Sequence, residues 1–270
     1  MIERNNVVVS GSPQGRTVVF VHGFGCDQSM WRDVTPAFEA DHRVVLYDLT
    51  GMGQSDLSAY DVARYDRLDA HAEDLLAILT EIDAHNAVVV GHSVGATIAV
   101  LAANEVMTEG TGRIGELILV SPSPCFYTDE EAGYAGGFAR RDLEDLVKML
   151  EDNHLGWSMQ LAPTIAGQSA DEVQADRLTQ SFCRTDPGIA QHFGRVTFLG
   201  DHRADFEHLA APSLVLHCDA DALVPMTVAE WMRDRVPGTR VHVLNATGHC
   251  PHMTVPADVV AAMRDHLGEV

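Results

Sequence analysis

Lysine is nearly missing from these 270 residues: Lys148 stands alone beside seventeen arginines. Basic residues number 18 against 39 acidic ones, 24 Asp and 15 Glu, so the formal charge is −21. A chain this acidic repels phosphate backbones and anionic bilayers, which argues against nucleic-acid and membrane partners. Paired cysteines are also missing. Cys26, Cys125, Cys183, Cys218 and Cys250 are scattered, odd in number and contain no C-x-x-C, so neither a disulfide framework nor a zinc site is expected. His249 and His252 are three apart with Pro251 between them, and no H-E-x-x-H exists. Gly51-Met52-Gly53 lacks the third glycine of a dinucleotide fingerprint, Asp56 standing there, and no P-loop occurs. The expectation is a protein without metal or cofactor. No charged segment followed by an apolar one marks the N-terminus as a signal peptide; with reduced-looking cysteines, this leads to an expected soluble, cytoplasmic protein.

One stretch calls for a membrane test. Residues 87–103, AVVVGHSVGATIAVLAA, carry no charged side chain, and seventeen residues is about the lower limit for a spanning helix. Two glycines and His92-Ser93 near its middle fit a buried strand that turns into a buried helix instead. Similar β-branched runs recur near 6–9, 17–21, 43–47, 87–90, 116–120, 213–217 and 240–244, separated by helical patterns near 28–38, 68–82, 93–107, 226–235 and 255–267. Alternation of this kind predicts an α/β fold with a mostly parallel sheet and helices on both faces.

Between Ser121 and about Leu209 the alternation stops. Leu143, Leu146, Val147 and Leu150 keep helical spacing, Ser169 with Glu172 forms a possible capping box, and Asp186-Pro187 reads as an N-cap followed by proline. The acidic residues Asp142, Glu144, Asp145, Glu151 and Asp152 read as a solvated helix face. This stretch holds 9 of the 17 aromatic residues. The predicted organisation is a core of residues 1–121 and 209–270 with a helical cap, 122–208, inserted between them. Phe126, Trp157, Phe182 and Phe193 of the cap, with Phe24 and His92 of the core, are the candidate walls of an apolar substrate pocket.

Gly91-His92-Ser93-Val94-Gly95 matches G-x-S-x-G with a strand before it and a helix after it, the context a nucleophile elbow requires. His22-Gly23-Phe24-Gly25 follows the strand 17–21, where the Phe24 amide can join the Val94 amide in an oxyanion hole. A base and an acid should follow late strands. His249 follows 240–244 beside Gly248, whereas strand 213–217 is followed by two acids, Asp219 and Asp221.

The segments GFGCDQSMW, YDLTGMGQSD, GHSVGA, SPSPCFY, FCRTDP, DHRADF and GHCPHM together resemble the α/β-hydrolases, and within them the RsbQ-like regulators of bacterial stress responses and the strigolactone and karrikin receptors of plants. The resemblance implies Ser93 as nucleophile, His249 as base and Asp221, in its Asp-x-x-Val-Pro context, as the acid. It also implies a four-helix cap over a hydrophobic pocket and slow hydrolysis of a small apolar ligand. For an RsbQ-like protein it implies a PAS-domain phosphatase as partner. His22 is the plant-receptor and esterase choice, and Cys218 stands where many hydrolases have glycine. Two functions are therefore expected: a serine esterase or lactonase acting on a small neutral ester through an acyl-enzyme, or a signalling protein that uses the same site to sense or produce a ligand.

Overall fold

A computed structural model describes residues 1–168 and 170–269. Seven strands, β1 (Val8–Gly11), β2 (Thr17–Val21), β3 (Arg43–Leu46), β4 (Ala87–His92), β5 (Ile114–Val120), β6 (Ser213–Ala220) and β7 (Thr239–Thr247), form one sheet in the order β1-β3-β2-β4-β5-β6-β7. Only β1 runs antiparallel to its neighbour. β2 and β4 are buried at every residue; helix α2 (Val94–Glu109) packs on both and carries α1 (Asp69–Glu81) outside it, while α8 (Met226–Arg235), the short α9 (Pro251–Thr254) and α10 (Pro256–Leu267) pack at the β6 and β7 end of the sheet. Residues 87–103 divide between β4 and α2, and among the described residues no helix is long and apolar enough to cross a membrane.

Two expectations fail locally. The first strand begins at Val8 rather than at residue 6. Asn6 takes a positive φ of 46° and the Val7 amide bonds back to the Ile2 carbonyl, so the chain is still turning there. The strand lies at the sheet edge with Val8 and Val9 exposed, and its apolar run therefore reports no burial. The helix expected at 28–38 is two single 3-10 turns, Gln28–Trp31 and Thr35–Ala37. Met30, Trp31, Val34 and Phe38 are buried and mimic a helical stripe, but Pro36 has no amide to donate and is tolerated only in a first turn.

Between β5 and β6 lie four helices of thirteen residues each, α3 (Arg140–Asp152), α4 (His154–Ala166), α5 (Glu172–Arg184) and α6 (Pro187–Leu199), then the short α7 (Arg203–Glu207). Asp186 caps α6 by accepting from the Ile189 amide, with Pro187 at the first position. α5 starts at a capping box built by Asp171 and Gln174; Ser169, expected in that role, lies outside the described residues. On α3, Leu143, Val147 and Leu150 point inward while Asp142, Glu144, Asp145 and Asp152 are exposed and Glu151 pairs with Arg195 at 2.6 Å. The layer is an α3–α6 sandwich against the carboxyl ends of the strands, and it covers Ser93.

Candidate active site

β4 delivers Ser93 to the sheet's carboxyl edge, and α2 starts at the next residue. Ser93 has φ 55° and ψ −121°, a conformation a side-chain-bearing residue adopts only when its surroundings force it, at roughly 1–3 kcal/mol. The flanking glycines make that turn possible. A Cβ on Gly95 would lie 2.6 Å from the Val21 and His22 carbonyl oxygens, and one on Gly91 would lie 2.4 Å from the Gly95 carbonyl oxygen. Gly95→Ala is expected to destabilise the fold by about 1–3 kcal/mol through this backbone overlap. A urea unfolding midpoint equal to wild type would contradict it.

The turn aims Ser93 at a histidine from the far end of the sheet. Ser93 Oγ lies 2.9 Å from His249 Nε2, and His249 Nδ1 lies 3.0 and 2.9 Å from the two Asp221 oxygens. A carboxylate only accepts, so Nδ1 carries the proton and Nε2 presents its lone pair to the Ser93 hydroxyl. Burial alone would raise the Asp221 pKa. The positive charge His249 carries whenever it is an imidazolium and its Nδ1–H hydrogen bond, with the amides of Leu223 and Val224 donating to Oδ1 at 2.8 and 3.0 Å, outweigh it and hold the carboxyl below its ordinary value. Asp219, the other acid open from spacing, lies inside β6 and instead accepts from the Ala246 amide of β7 at 3.1 Å, where the register of the two strands shifts.

Phe24 and Val94 lie beside Ser93 on the two loops expected for an oxyanion hole. The Gly23–Cys26 turn closes through the Cys26 amide and Gly23 carbonyl at 3.3 Å, which leaves the Phe24 amide unpaired among the described residues. Val94 opens α2, where an amide has no helical carbonyl behind it. His22 holds this loop: its Nδ1 donates to the Gly23 carbonyl at 2.9 Å and its Nε2 accepts from the Leu49 amide at 2.9 Å. Burial pushes its pKa down, in keeping with a neutral ring.

A cavity of about 20 Å³ lies over Ser93, room for about one water molecule. Of the six expected wall residues, Phe24, Phe182 and His92 reach it. The other three do not, which corrects the expectation. Trp157 stacks on Phe182 with centroids 5.9 Å apart, Phe193 stacks behind Phe24 at 5.8 Å, and Phe126 packs edge-on against Phe198 at 5.4 Å. They form a second layer that fixes the first. Ile165, Leu178 and Phe198, which no motif marks, and Leu223, a variable position of the Asp-x-x-Val-Pro segment, supply the rest of the wall together with Cys26 and Cys250. Burial raises both thiols well above their ordinary pKa, so neither is a thiolate that competes with Ser93.

Among the described residues one cluster has metal-ligand spacing, Asp41, His42 and Glu269. Arg264 binds both of its carboxylates at 3.1 Å and supplies the positive charge a metal would. Both ring nitrogens of His252 are buried without partners among the described residues, and its ring packs on Trp31 and His92, with centroids 4.5 and 4.4 Å away.

Comparison with known proteins places this geometry. The model of the "Alpha/beta hydrolase family" matches residues 18–262. The "Strigolactone esterase D14" of Arabidopsis thaliana is 34% identical over 269 residues, 99% of this chain and 97% of that protein. The "Karrikin insensitive 2 receptor CA" of Petunia hybrida is 32% identical over 266 residues, 98% of this chain and 96% of that one. A hydrolase from Oleispira antarctica superposes with a TM-score of 0.94 at 35% identity, covering 100% of this chain and 96% of that one. On its sheet order, on the match along nearly its whole length and on these relatives, the chain belongs to the α/β-hydrolase family.

Proposed function

We propose that the protein is a cofactor-independent serine hydrolase of small, neutral carboxylic esters or lactones, with Ser93 as nucleophile, His249 as base and Asp221 as its orienting acid. The observation that carries this reading is the continuous hydrogen-bonded line from Asp221 through His249 to Ser93 Oγ. Ser93 Oγ attacks the ester carbonyl while His249 Nε2 takes its proton. The oxyanion forms against the Phe24 and Val94 amides, and His249 returns the proton to the departing alcohol. A water deprotonated by His249 then releases the acid and restores Ser93.

The net charge disfavours an anionic substrate, and the apolar wall favours a hydrophobic one. The cavity's small size favours a short acyl group. Cleavage of p-nitrophenyl acetate is expected to exceed that of the octanoate by at least about tenfold in kcat/KM; an octanoate preference would count against the small-substrate reading. A fluorophosphonate probe should leave a single adduct, and peptide mass spectrometry should find it on Ser93. Labelling elsewhere, or none, would refute the nucleophile assignment.

The receptor names of relatives matching at 31–32% identity favour a second reading, in which the same site turns over slowly and its ligand state is read by another protein. On the RsbQ resemblance alone that protein is a PAS-domain phosphatase. Fast, repeated turnover of simple esters supports the metabolic enzyme. A burst of one product per chain, with ligand-dependent capture of the phosphatase, supports the sensor.

A further inference from the structure

His92 fills the variable position of G-x-S-x-G and stands one residue before Ser93, yet its side chain turns away from the reacting hydroxyl. Its Nε2 lies 2.8 Å from the main-chain carbonyl oxygen of His249, across 157 residues of sequence. A carbonyl only accepts, so Nε2 bears the proton and donates. The bond is wholly buried: His92 is 3% exposed and His249 2%.

The ring has no freedom to leave that contact. On one side lies Gly23, where a Cβ would sit 2.5 Å from His92 Nδ1; the first glycine of the oxyanion loop is the space the imidazole occupies. On the other side lies the His252 ring, 4.4 Å away and itself packed on Trp31. Nδ1 has no partner among the described residues, so the hydrogen bond to His249 is the one polar contact the ring makes. The His249 main chain is thus held from two directions, its carbonyl by His92 and its amide by the Ile165 carbonyl at 2.7 Å.

We propose that His92 is a positioning residue for the catalytic base: by fixing the His249 carbonyl, its Nε2–H sets the reach of the His249 imidazole to Ser93 Oγ. Asp221 fixes the tautomer and ring orientation of His249, and His92 fixes where that ring is mounted. Contact between His92 and the substrate is no part of this role. The proposal rests on the assignment of Ser93 and His249 as nucleophile and base.

The test compares His92→Leu with His92→Gln. A glutamine amide nitrogen reaches about as far as Nε2 and keeps the donor, whereas leucine fills the space without one. For His92→Leu, kcat on p-nitrophenyl acetate and the fluorophosphonate labelling rate should both fall roughly 10–100-fold, the cost of misplacing a reacting group by a fraction of an ångström. KM should change far less than kcat, because leucine keeps the short stretch of cavity wall that His92 supplies filled and apolar. His92→Gln should recover most of the lost rate. Equal rates for the two variants, whether both wild-type-like or both depressed, would overturn the proposal, as would a loss confined to KM. If His92→Leu does not fold, His92→Asn replaces it: its amide is one bond too short to reach the carbonyl, and the same contrast with glutamine is required. Failure of the underlying assignment looks different, because wild-type protein would then carry no adduct on Ser93.

Discussion

Replacing Ser93 with alanine is expected to lower ester turnover by about 10⁴–10⁶-fold while leaving the fold intact, since the hydroxyl is one member of a group that acts as a unit. Asp221→Asn should cost about 10⁴-fold, and the structure says why the substitution is not silent. Two backbone amides, of Leu223 and Val224, donate to Asp221 Oδ1, so an asparagine must keep its carbonyl oxygen there. Its NH₂ then takes the place of Oδ2, 2.9 Å from His249 Nδ1, and donates to it. His249 is driven to the tautomer with its proton on Nε2, which cannot accept from Ser93. Steady-state kinetics on p-nitrophenyl acetate with active-site titration measures both losses. A Ser93→Ala protein retaining more than about one per cent of wild-type turnover would mean that the chemistry lies elsewhere.

Acid should unfold the protein earlier than its carboxylates alone would cause. His71, His92 and His252 are 0%, 3% and 0% exposed. Burial pushes the pKa of His71 and of His92 down to about 3 and that of His252 well below the ordinary value. In the unfolded chain each titrates near 6.5. Below that pH the unfolded state therefore binds three protons that the native state refuses. The stability from these rings is complete above about pH 7 and declines as pH falls from 6.5 toward 3. Between pH 7 and 5 His71 and His92 each account for about 2 kcal/mol, and His252 adds to the loss in the same direction, against a total stability of about 5–15 kcal/mol for a typical domain. Urea titrations at pH 7, 6 and 5 should show this decline, and His71→Phe should remove about 2 kcal/mol of it. Phenylalanine suits that site because both His71 nitrogens lack partners among the described residues and its ring packs between Tyr65 and Phe193. A stability that is flat from pH 7 to 5 would mean that these rings take up protons in the native state.

What could be read before folding, and what could not, divides along the range of the interactions involved. β2 and β4 are covered on both faces, and each leaves a continuous apolar run of TVVFV or AVVV in the chain. Gly91-His92-Ser93-Val94-Gly95 is equally legible, because the strain at Ser93 and the carbonyl contacts at Gly95 demand those residue types within five positions. Asp219, inside β6, and Asp221, just past its end, stand two residues apart, and spacing left both open. Aromatic content marked the cap as the source of a pocket wall but could not say which ring stands in front. Phe182 and Phe198 face the cavity while Trp157 and Phe193 stand behind them, a matter of helix rotation and packing. The bond between His92 and the His249 main chain leaves no mark at all, since any carbonyl serves as its acceptor.

The junction of α4 with the loop that carries His249 has a kinetic consequence. A Cβ on Gly167 would lie 2.5 Å from the Gly248 backbone, and one on Gly248 would lie 2.3 Å from the Ala166 carbonyl oxygen; the His249 amide is bonded to Ile165 in the same place. The cavity beneath holds about 20 Å³, so anything larger than a water must displace side chains to enter. If α4 swings outward to admit it, the support of the base leaves with the helix. Entry through that side and bond cleavage then belong to alternating moments of the cycle, and an enzyme built this way pauses its chemistry whenever it opens its door.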